Sequence, residues 1–272
     1  MDSIRKPILL WGPPGCGKST YLACLCYRPL RLDEDTELRI VPADERTSDY
    51  AAQVLRAVEA NQPTSSTVGL SDPFHYRMEK WTRGRRGRAD RVTHLADLMI
   101  VDPSGDIFKR ARLQSGLGQR FLELLGDARG LVLLIDPTDP DGARTYWDLF
   151  ADNIPEISLW FREQPDRKGG VDGRNRITLP LAVTLTKMDL EYDYRDRPRQ
   201  LLEERLERAL PLLDVSFTRY EIFASSARQR VLYAGPTGDV RDSVEPWGLH
   251  EPFYWIAMQP VAGLFHRLGW TQ

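Results

Sequence analysis

The stretch with the clearest chemical signature lies near the N-terminus and reads GPPGCGKST from residue 12 to residue 20. A glycine, four residues and then Gly-Lys-Ser form the pattern of a phosphate-binding loop between a strand and a helix. The glycines let successive backbone N–H groups turn toward phosphate oxygens, the lysine reaches the outer phosphates, and the hydroxyl after it ligates Mg²⁺. The predicted phosphate and metal site consists of Gly12, Gly15, Cys16, Gly17, Lys18, Ser19 and Thr20.

A second polar motif, TKMD, occupies residues 186–189 and follows the apolar stretch LAVTL. The Asp189 carboxylate would accept hydrogen bonds from the ring N–H and the exocyclic amine of guanine, whereas adenine presents an acceptor at the corresponding ring nitrogen. A buried carboxylate facing adenine would lack a donor, which costs about 1–3 kcal/mol. The methylenes of Lys187 would pack along the base plane. The motif therefore favours a guanine nucleotide, with a helix cap or loop cap as the alternative.

Three shorter motifs accompany these two along the chain. DPSG occupies residues 102–105 after the apolar stretch LMIV, SSA occupies residues 225–227 after EIF, and TVGL occupies residues 67–70. Each is weak by itself. Together they form an ordered series at the ends of predicted strands, after a phosphate loop, and that order is specific.

Taken in order, these motifs resemble those of Ras-like P-loop GTPases of the TRAFAC class. The match spans residues 8–227. Within this class the chain most resembles bacterial "double-GTPase" proteins, whose phosphate loops look like GPPGCGKST and whose second switches look like DPSG. The resemblance implies a P-loop NTPase three-layer α/β sandwich, with a mostly parallel sheet, one antiparallel edge strand and insertions. It also implies GTP or GDP and Mg²⁺ as cofactors.

The resemblance makes TVGL at 67–70 the first switch loop and DPSG at 102–105 the second, and it assigns both loops roles in metal and γ-phosphate binding. Asp102 would hold Mg²⁺ through a water molecule. The Thr67 hydroxyl would complete the metal shell, with Thr64 as the alternative. The Gly105 N–H would contact the γ-phosphate.

The resemblance also places residues around the base. Thr186 stands where the family more commonly has Asn, so one polar contact is altered. The Ala227 N–H would reach the guanine oxygen from the SSA motif, next to Ser226.

The position after the second-switch glycine departs from the family pattern. Ras-like enzymes have Gln there to orient the attacking water, and this chain has Asp106. A carboxylate is poorly placed beside the negative γ-phosphate, so we expect slow intrinsic GTP hydrolysis in a two-state switch. The predicted catalytic set is Lys18, Thr67, Gly105 and Asp106.

Two other functions stay open at this point. The protein could be a non-cycling module that keeps its nucleotide as part of a bacterial complex, which Asp106 in place of Gln favours. An ATP-dependent P-loop enzyme is the third reading, against which TKMD argues. The resemblance further implies a protein effector or a partner GTPase.

The elements that must position these motifs alternate along the chain, which favours a mostly parallel sheet with helices on both faces. Strands are predicted at 7–11, 74–81, 94–101, 131–135, 181–185 and 220–223, the last of the series. Helices are predicted at 18–28, 116–125, 143–161, 197–213 and 253–268. A further helix is predicted to follow an N-cap at Asp44. We expect a break in the 143–161 helix at Pro155. Aromatic residues of the C-terminal helix are expected to pack in the core.

Length and composition bound the remaining possibilities. The 272 residues, of which 42% are hydrophobic, are predicted to form a single domain with an insertion at about 30–62. With 37 basic and 39 acidic residues the net charge is −2, which makes nucleic-acid binding an unfavoured function. No apolar run approaches the length of a membrane span, and we expect a cytoplasmic protein.

One local charge cluster departs from this balance. Residues 80–91 read KWTRGRRGRADR, between the two strands of the predicted hairpin. A solvated hairpin tip is the simpler interpretation, and a docking site for an acidic partner is the alternative.

Overall fold

The computed structural model describes residues 7–26, 29–60, 72–84, 89–101, 115–164, 170–227, 230–234, 240–244 and 246–259. Among them, eight strands form one sheet in the order β2-β3-β4-β5-β1-β6-β7-β8, and β9 and β10 form a separate antiparallel pair. The strands are β1 (Ile8–Trp11), β2 (Leu30–Arg31), β3 (Thr36–Pro42), β4 (Phe74–Thr82), β5 (Arg91–Val101), β6 (Gly130–Ile135), β7 (Leu181–Leu185), β8 (Tyr220–Ala224), β9 (Arg230–Ala234) and β10 (Val240–Val244).

The sheet has mostly parallel strands. The neighbours β5, β1, β6, β7 and β8 are all parallel, and the register pairs Leu9 with Leu131, Leu133 with Val183 and Val183 with Ile222. The prediction of one antiparallel edge strand was wrong, because β2–β3, β3–β4 and β4–β5 are all antiparallel pairs. Residues 30–42 cause this difference, since they add two strands to the predicted hairpin.

Helices cover both faces of the parallel strands. They are α1 (Lys18–Cys24), α2 (Glu45–Glu59), α3 (Gly116–Asp127), α4 (Pro140–Glu163), α5 (Pro198–Arg205), α6 (Ala209–Ser216) and α7 (Glu251–Met258). Successive strand residues point to opposite faces, so Leu9 and Leu133 share a core with α3 to α6. Leu10 and Val132 lie in the opposite core with α1 and α7. No helix in the described ranges is long and apolar enough to cross a membrane.

The strand that leads into the phosphate loop is anchored by aromatic packing. Trp11 is fully buried at the end of β1. Its ring makes edge-to-face contacts with Phe121, Tyr146 and Phe150, at centroid distances of 5.9, 6.0 and 5.0 Å. Such pairs contribute about 0.5–1.5 kcal/mol each beyond area burial. The start of the phosphate loop is therefore fixed to α3 and α4.

Helix starts follow the polar residues that precede them. The predicted N-cap at Asp44 is confirmed, because its carboxylate accepts a hydrogen bond from the Thr47 N–H at 2.7 Å. Asp139 caps α4 in the same way, through the Gly142 N–H at 3.0 Å, and Pro140 occupies the first turn of that helix.

Three further predictions about elements were wrong. Helix α4 runs unbroken through Pro155, because Ile154 and Ile157 are buried in the core and their packing offsets the lost backbone bond. The 197–213 helix is two helices, since the backbone at Leu206 leaves the helical region at φ −136° while its side chain stays buried. The strand at 220–224 is not the last, because β9 and β10 follow it.

Candidate functional site

The phosphate loop has the backbone that its glycines permit. Gly15 and Gly17 have φ angles of +81° and +92°, where residues with side chains are strained. An added Cβ at either position would meet no atom within 4 Å, so conformation and not space requires glycine there. At Gly12 the reason is space, because a Cβ would lie 2.5 Å from Cys16 Sγ and 3.0 Å from the Leu134 Cβ.

Lys18 folds back over the loop. Its side chain is largely buried, and Nζ donates to the carbonyl oxygens of Gly12 at 2.9 Å and of Pro13 at 3.0 Å. An ammonium group has three donors, so one remains for another acceptor. Ser19 and Thr20 follow in the first turn of α1 and are half-buried. The loop thus combines a fixed cation, two left-handed glycines and two hydroxyls.

The side chain of Thr186 connects the TKMD motif to the phosphate loop. Its hydroxyl donates to the Cys16 carbonyl at 3.0 Å and lies 3.2 Å from the Ile135 carbonyl. The Thr186 N–H also binds the Ile135 oxygen, at 2.8 Å, which extends the β6–β7 pairing by one residue. Both Thr186 and Cys16 are buried. The threonine hydroxyl therefore connects the TKMD motif to the phosphate loop.

The next residue, Lys187, has an unusual backbone and a salt bridge. Its φ of +56° lies in the left-handed region, which few residues other than glycine adopt. Its Nζ lies 2.5 Å from Asp136 Oδ2. Asp136 directly follows β6 and was not among the predicted site residues. The sequence signal that could have identified it is a carboxylate at the end of the strand next to the one that carries TKMD.

The TKMD and SSA motifs are joined by side-chain and backbone bonds. The Ser226 hydroxyl donates to Asp189 Oδ1 at 2.5 Å, and Ser226 is fully buried. The Met188 N–H donates to the Ser225 carbonyl at 3.1 Å. A carboxylate accepts at two oxygens, so the bond from Ser226 orients Asp189 without exhausting it. Asp189 is thus held at the edge of the sheet as an oriented acceptor.

Two contacts place the SSA motif against other elements. The Ala227 carbonyl lies 3.7 Å from Cys24 Sγ, at the end of α1. Ser226 exchanges two backbone hydrogen bonds with Trp247, both at 2.9 Å. Gly248 follows at a φ of +71°, and a Cβ there would lie 2.1 Å from the Ala224 carbonyl oxygen. Sequence reasoning missed Trp247 and Gly248 as supports of this motif, although a glycine is a common signal of a turn.

A buried junction links α1 to α7 behind the SSA motif. The Tyr21 hydroxyl donates to the Leu249 carbonyl at 2.7 Å. The neighbouring His250 side chain is buried, and burial lowers the pKa of its imidazole to about 4, although a hydrogen bond with the Leu25 backbone opposes the shift. His250 is therefore neutral in the folded protein near pH 7.

The predicted switch residues are not part of this geometry. Thr67, its alternative Thr64, Asp102, Gly105 and Asp106 lie outside the described residues, so their predicted roles in metal binding and hydrolysis stay predictions. Ser19 is the predicted metal ligand that falls within the described ranges. Within those ranges, no three His, Cys, Asp or Glu side chains are grouped as a metal site.

The basic hairpin tip has acidic neighbours. The Arg83 N–H donates to the Asp35 carbonyl at 2.7 Å, and the Gly84 N–H donates to Asp90 Oδ1 at 2.9 Å. A cleft of about 330 Å³ beside it is lined by arginines and by acidic residues of the 33–37 turn. Residues 85–88 lie outside the described residues, and the docking of an acidic partner at 80–91 stays a prediction.

The chain is similar to solved structures, whereas the other comparisons found no match. No protein-family model matches the chain, and no curated protein matches it. Among solved structures, the chain is similar to the S. cerevisiae Ski7 GTPase-like domain, bound to GDP and inorganic phosphate. The TM-score is 0.43 and the sequence identity 13%, over 99% of this chain. The chain spans about half the length of that structure's chain, 51% of it.

Proposed function

We propose that the protein is a Mg²⁺-dependent GTP-binding protein with slow intrinsic GTP hydrolysis, which acts as a two-state switch. The observation that carries the proposal is the Thr186 hydroxyl bond to the Cys16 carbonyl at 3.0 Å. It ties the loop that would hold phosphates to the motif that would hold the base. A single nucleotide needs both groups at one edge of the sheet, which is where parallel α/β sheets bind ligands.

The residues of the loop fit a nucleotide phosphate. Gly15 and Gly17 have the left-handed backbone that directs successive N–H groups toward an anion, and Lys18 supplies a fixed positive charge. Mg²⁺ would be held by Ser19 together with Thr67 and Asp102. When bound, the metal neutralises charge on the phosphate oxygens.

Selectivity for guanine would rest on Asp189. Ser226 orients its carboxylate from one side, which leaves acceptor capacity for the two donors on the guanine edge. Adenine lacks that pair of donors, so its binding would desolvate the carboxylate without compensation. The Ala227 N–H and the Lys187 methylenes complete the proposed base site.

Slow hydrolysis follows from Asp106. Phosphoryl transfer in such proteins depends on positioning of water and stabilisation of charge. The γ-phosphate would be stabilised by Lys18, Thr67 and Gly105. A carboxylate at position 106 would repel the negative charge on the γ-phosphate in the transition state. The same residue favours a second candidate, a non-cycling module that retains its nucleotide within a larger complex. In both cases we take residues 1–272 as one domain with an insertion at 30–62, which binds a protein effector or a partner GTPase.

Binding of fluorescent GTP and ATP analogues, with Mg²⁺ and with EDTA, tests the proposal. We expect the wild type to bind GTP tightly. Lys18→Ala should weaken the affinity for GTP by about 100-fold or more, because it removes a charge-assisted contact to phosphate. Lys80→Ala, on the basic hairpin, is the matched control and should bind as the wild type does. Equal binding of ATP and GTP, or an unaffected Lys18→Ala variant, would contradict the proposal.

Turnover separates the switch from the non-cycling module. For the switch we expect GTP hydrolysis below about 1 per minute without a partner, so that bound GTP is slowly converted to GDP. A module that keeps its nucleotide should show unchanged nucleotide content after long incubation. Hydrolysis faster than that limit would refute the role assigned to Asp106.

A further inference from the structure

The pairing of β6 and β7 places Asp136 and Lys187 side by side. Ile135 is the last residue of β6 and lies opposite Leu185, the last residue of β7. The chain continues for one residue beyond β6 to Asp136 and for two beyond β7 to Lys187. The Thr186 hydrogen bond to Ile135 keeps the two strands in register up to this point. The neighbourhood of the two charges is therefore set by the sheet itself.

A local turn orients the Asp136 carboxylate. Its Oδ1 accepts hydrogen bonds from the Thr138 N–H at 3.0 Å and the Thr138 hydroxyl at 2.6 Å. With Oδ1 held in this way, Oδ2 is directed to the Lys187 ammonium at 2.5 Å. The sequence Asp-Pro-Thr supports the turn, because an Asp side chain bonds its own backbone two residues on.

The salt bridge determines where the parts of Lys187 lie. The Asp136 side chain is 13% exposed, whereas that of Lys187 is 41% exposed. The ammonium end of Lys187 is therefore held against a largely buried carboxylate, while the side chain as a whole stays partly exposed. The side chain leaves a backbone that has a left-handed φ of +56°. The methylene stem joins this anchored ammonium to a backbone position two residues before Asp189.

We propose that Asp136 is a positioning residue of the nucleotide site, which holds the Lys187 ammonium away from the phosphates and its methylenes flat against the purine ring. The inference rests on the proposed function, because it assumes that a guanine base occupies the surface between Lys187 and Asp189. It assigns the two lysines of the site different roles. Lys18 binds phosphate, and Lys187 contacts the base through its stem.

The test is the release rate of a fluorescent GDP analogue from Asp136→Asn. The Asn side chain keeps the Thr138 contacts in part but loses the charge that attracts the ammonium. We expect release about fivefold faster, as the loss of one charge-assisted bond predicts. A fluorescent GMP analogue should show the same factor, because the effect acts through the base. Asp139→Asn is the control, with the same charge change three residues along at the α4 cap.

A double-mutant cycle separates positioning from a general structural effect. Lys187→Met keeps an unbranched apolar stem without the ammonium, so Asp136 loses the group through which it acts. We expect Asp136→Asn to speed release in the wild-type background and to have no effect in the Lys187→Met background. An equal effect in both backgrounds would overturn the inference.

Two other results would also overturn it. Slower release from Asp136→Asn would mean that the freed ammonium binds phosphate, and unchanged release would mean that Lys187 needs no such support. Either would leave the proposed function intact if wild type binds GDP. Wild-type protein that binds no guanine nucleotide would refute both the function and the inference.

Discussion

The hydroxyl of Thr186 offers the sharpest test of how the phosphate loop is held. Thr186→Val keeps the shape of the side chain and removes the donor that joins the Cys16 carbonyl at 3.0 Å. The hydroxyl has a single hydrogen, which lies between two acceptors at 3.0 and 3.2 Å, so the substitution removes one hydrogen bond. A buried bond of this kind contributes about 1–2 kcal/mol once the desolvation of the remaining acceptor is counted.

Strand β7, which ends one residue before Thr186, supplies a matched control. Thr184 is fully buried two residues earlier in β7, and its hydroxyl has no hydrogen-bond partner among the described residues. Thr184→Val therefore removes a buried hydroxyl at no cost in bonding and should be neutral or stabilising. The two variants make the same substitution at buried positions two residues apart, and they differ in the hydrogen bond to the loop.

Urea unfolding of nucleotide-free protein measures the difference. We expect Thr186→Val to lower the free energy of unfolding by about 1–2 kcal/mol with an unchanged m-value, and the melting temperature by about 2–6 °C. Release of GDP should also be faster from this variant, because its loop is less well anchored. Equal destabilisation by Thr184→Val and Thr186→Val would refute the reasoning, since the bond to Cys16 would then have no special role.

Three further predictions concern the phosphate loop, the start of α3 and the α1–α7 junction. Gly12→Ala should cost about 1–3 kcal/mol and speed GDP release, because its Cβ would lie 2.5 Å from Cys16 Sγ. Gly116→Ala, where a Cβ meets nothing within 4 Å at the start of α3, should be neutral or stabilising in the same unfolding assay, and a cost equal to that of Gly12→Ala would contradict both. His250 has a folded pKa of about 4, below its unfolded value of about 6.5, so its contribution is complete above pH 6.5 and is lost as pH falls toward 4. Between pH 7 and pH 5 the free energy of unfolding should fall by about 2 kcal/mol more in the wild type than in His250→Gln. Glu251, whose pKa is raised by burial, has the opposite trend, but it is present in both proteins and drops out of the comparison. Identical pH profiles would refute this prediction.

Much of the parallel core could be predicted from the sequence. Continuous apolar runs identify β1, β6 and β7 because strands buried on both faces need no alternation. The Asp44 cap was also predictable, since the bond from the Thr47 N–H is local. These features depend on short stretches of chain and on simple burial.

Features set by tertiary contacts could not be predicted in this way. Local propensity indicates a break at Pro155, but the core on one side of α4 keeps the helix continuous. Strand β2 has two residues, and its pairing with β3 defines it. Strand β3 alternates buried and half-exposed residues over seven positions, a local signal that the prediction of an insertion at 30–62 did not use. The salt bridge between Asp136 and Lys187 joins residues 51 positions apart, which no local pattern reveals.

The phosphate loop and the TKMD motif were visible as motifs, whereas their connection was not. The sequence indicates that Thr186 replaces the common Asn, which predicts an altered contact. The structure shows the hydroxyl on the Cys16 carbonyl, 170 positions away in the chain. Only the folded sheet brings the two together, because β6 and β7 must pair before Thr186 can reach the loop.

Guanine recognition by Asp189 can be tested by nucleotide competition on the Asp189→Asn variant. Displacement of a fluorescent GDP analogue by GDP, XDP and ATP would be measured for wild type and variant. We predict that the variant loses about 10- to 100-fold in affinity for GDP and gains affinity for XDP, since the Asn amide donates where the carboxylate accepted. Wild-type protein that binds ATP as tightly as GDP, with Asp189→Asn unchanged toward all three nucleotides, would show that Asp189 does not recognise guanine.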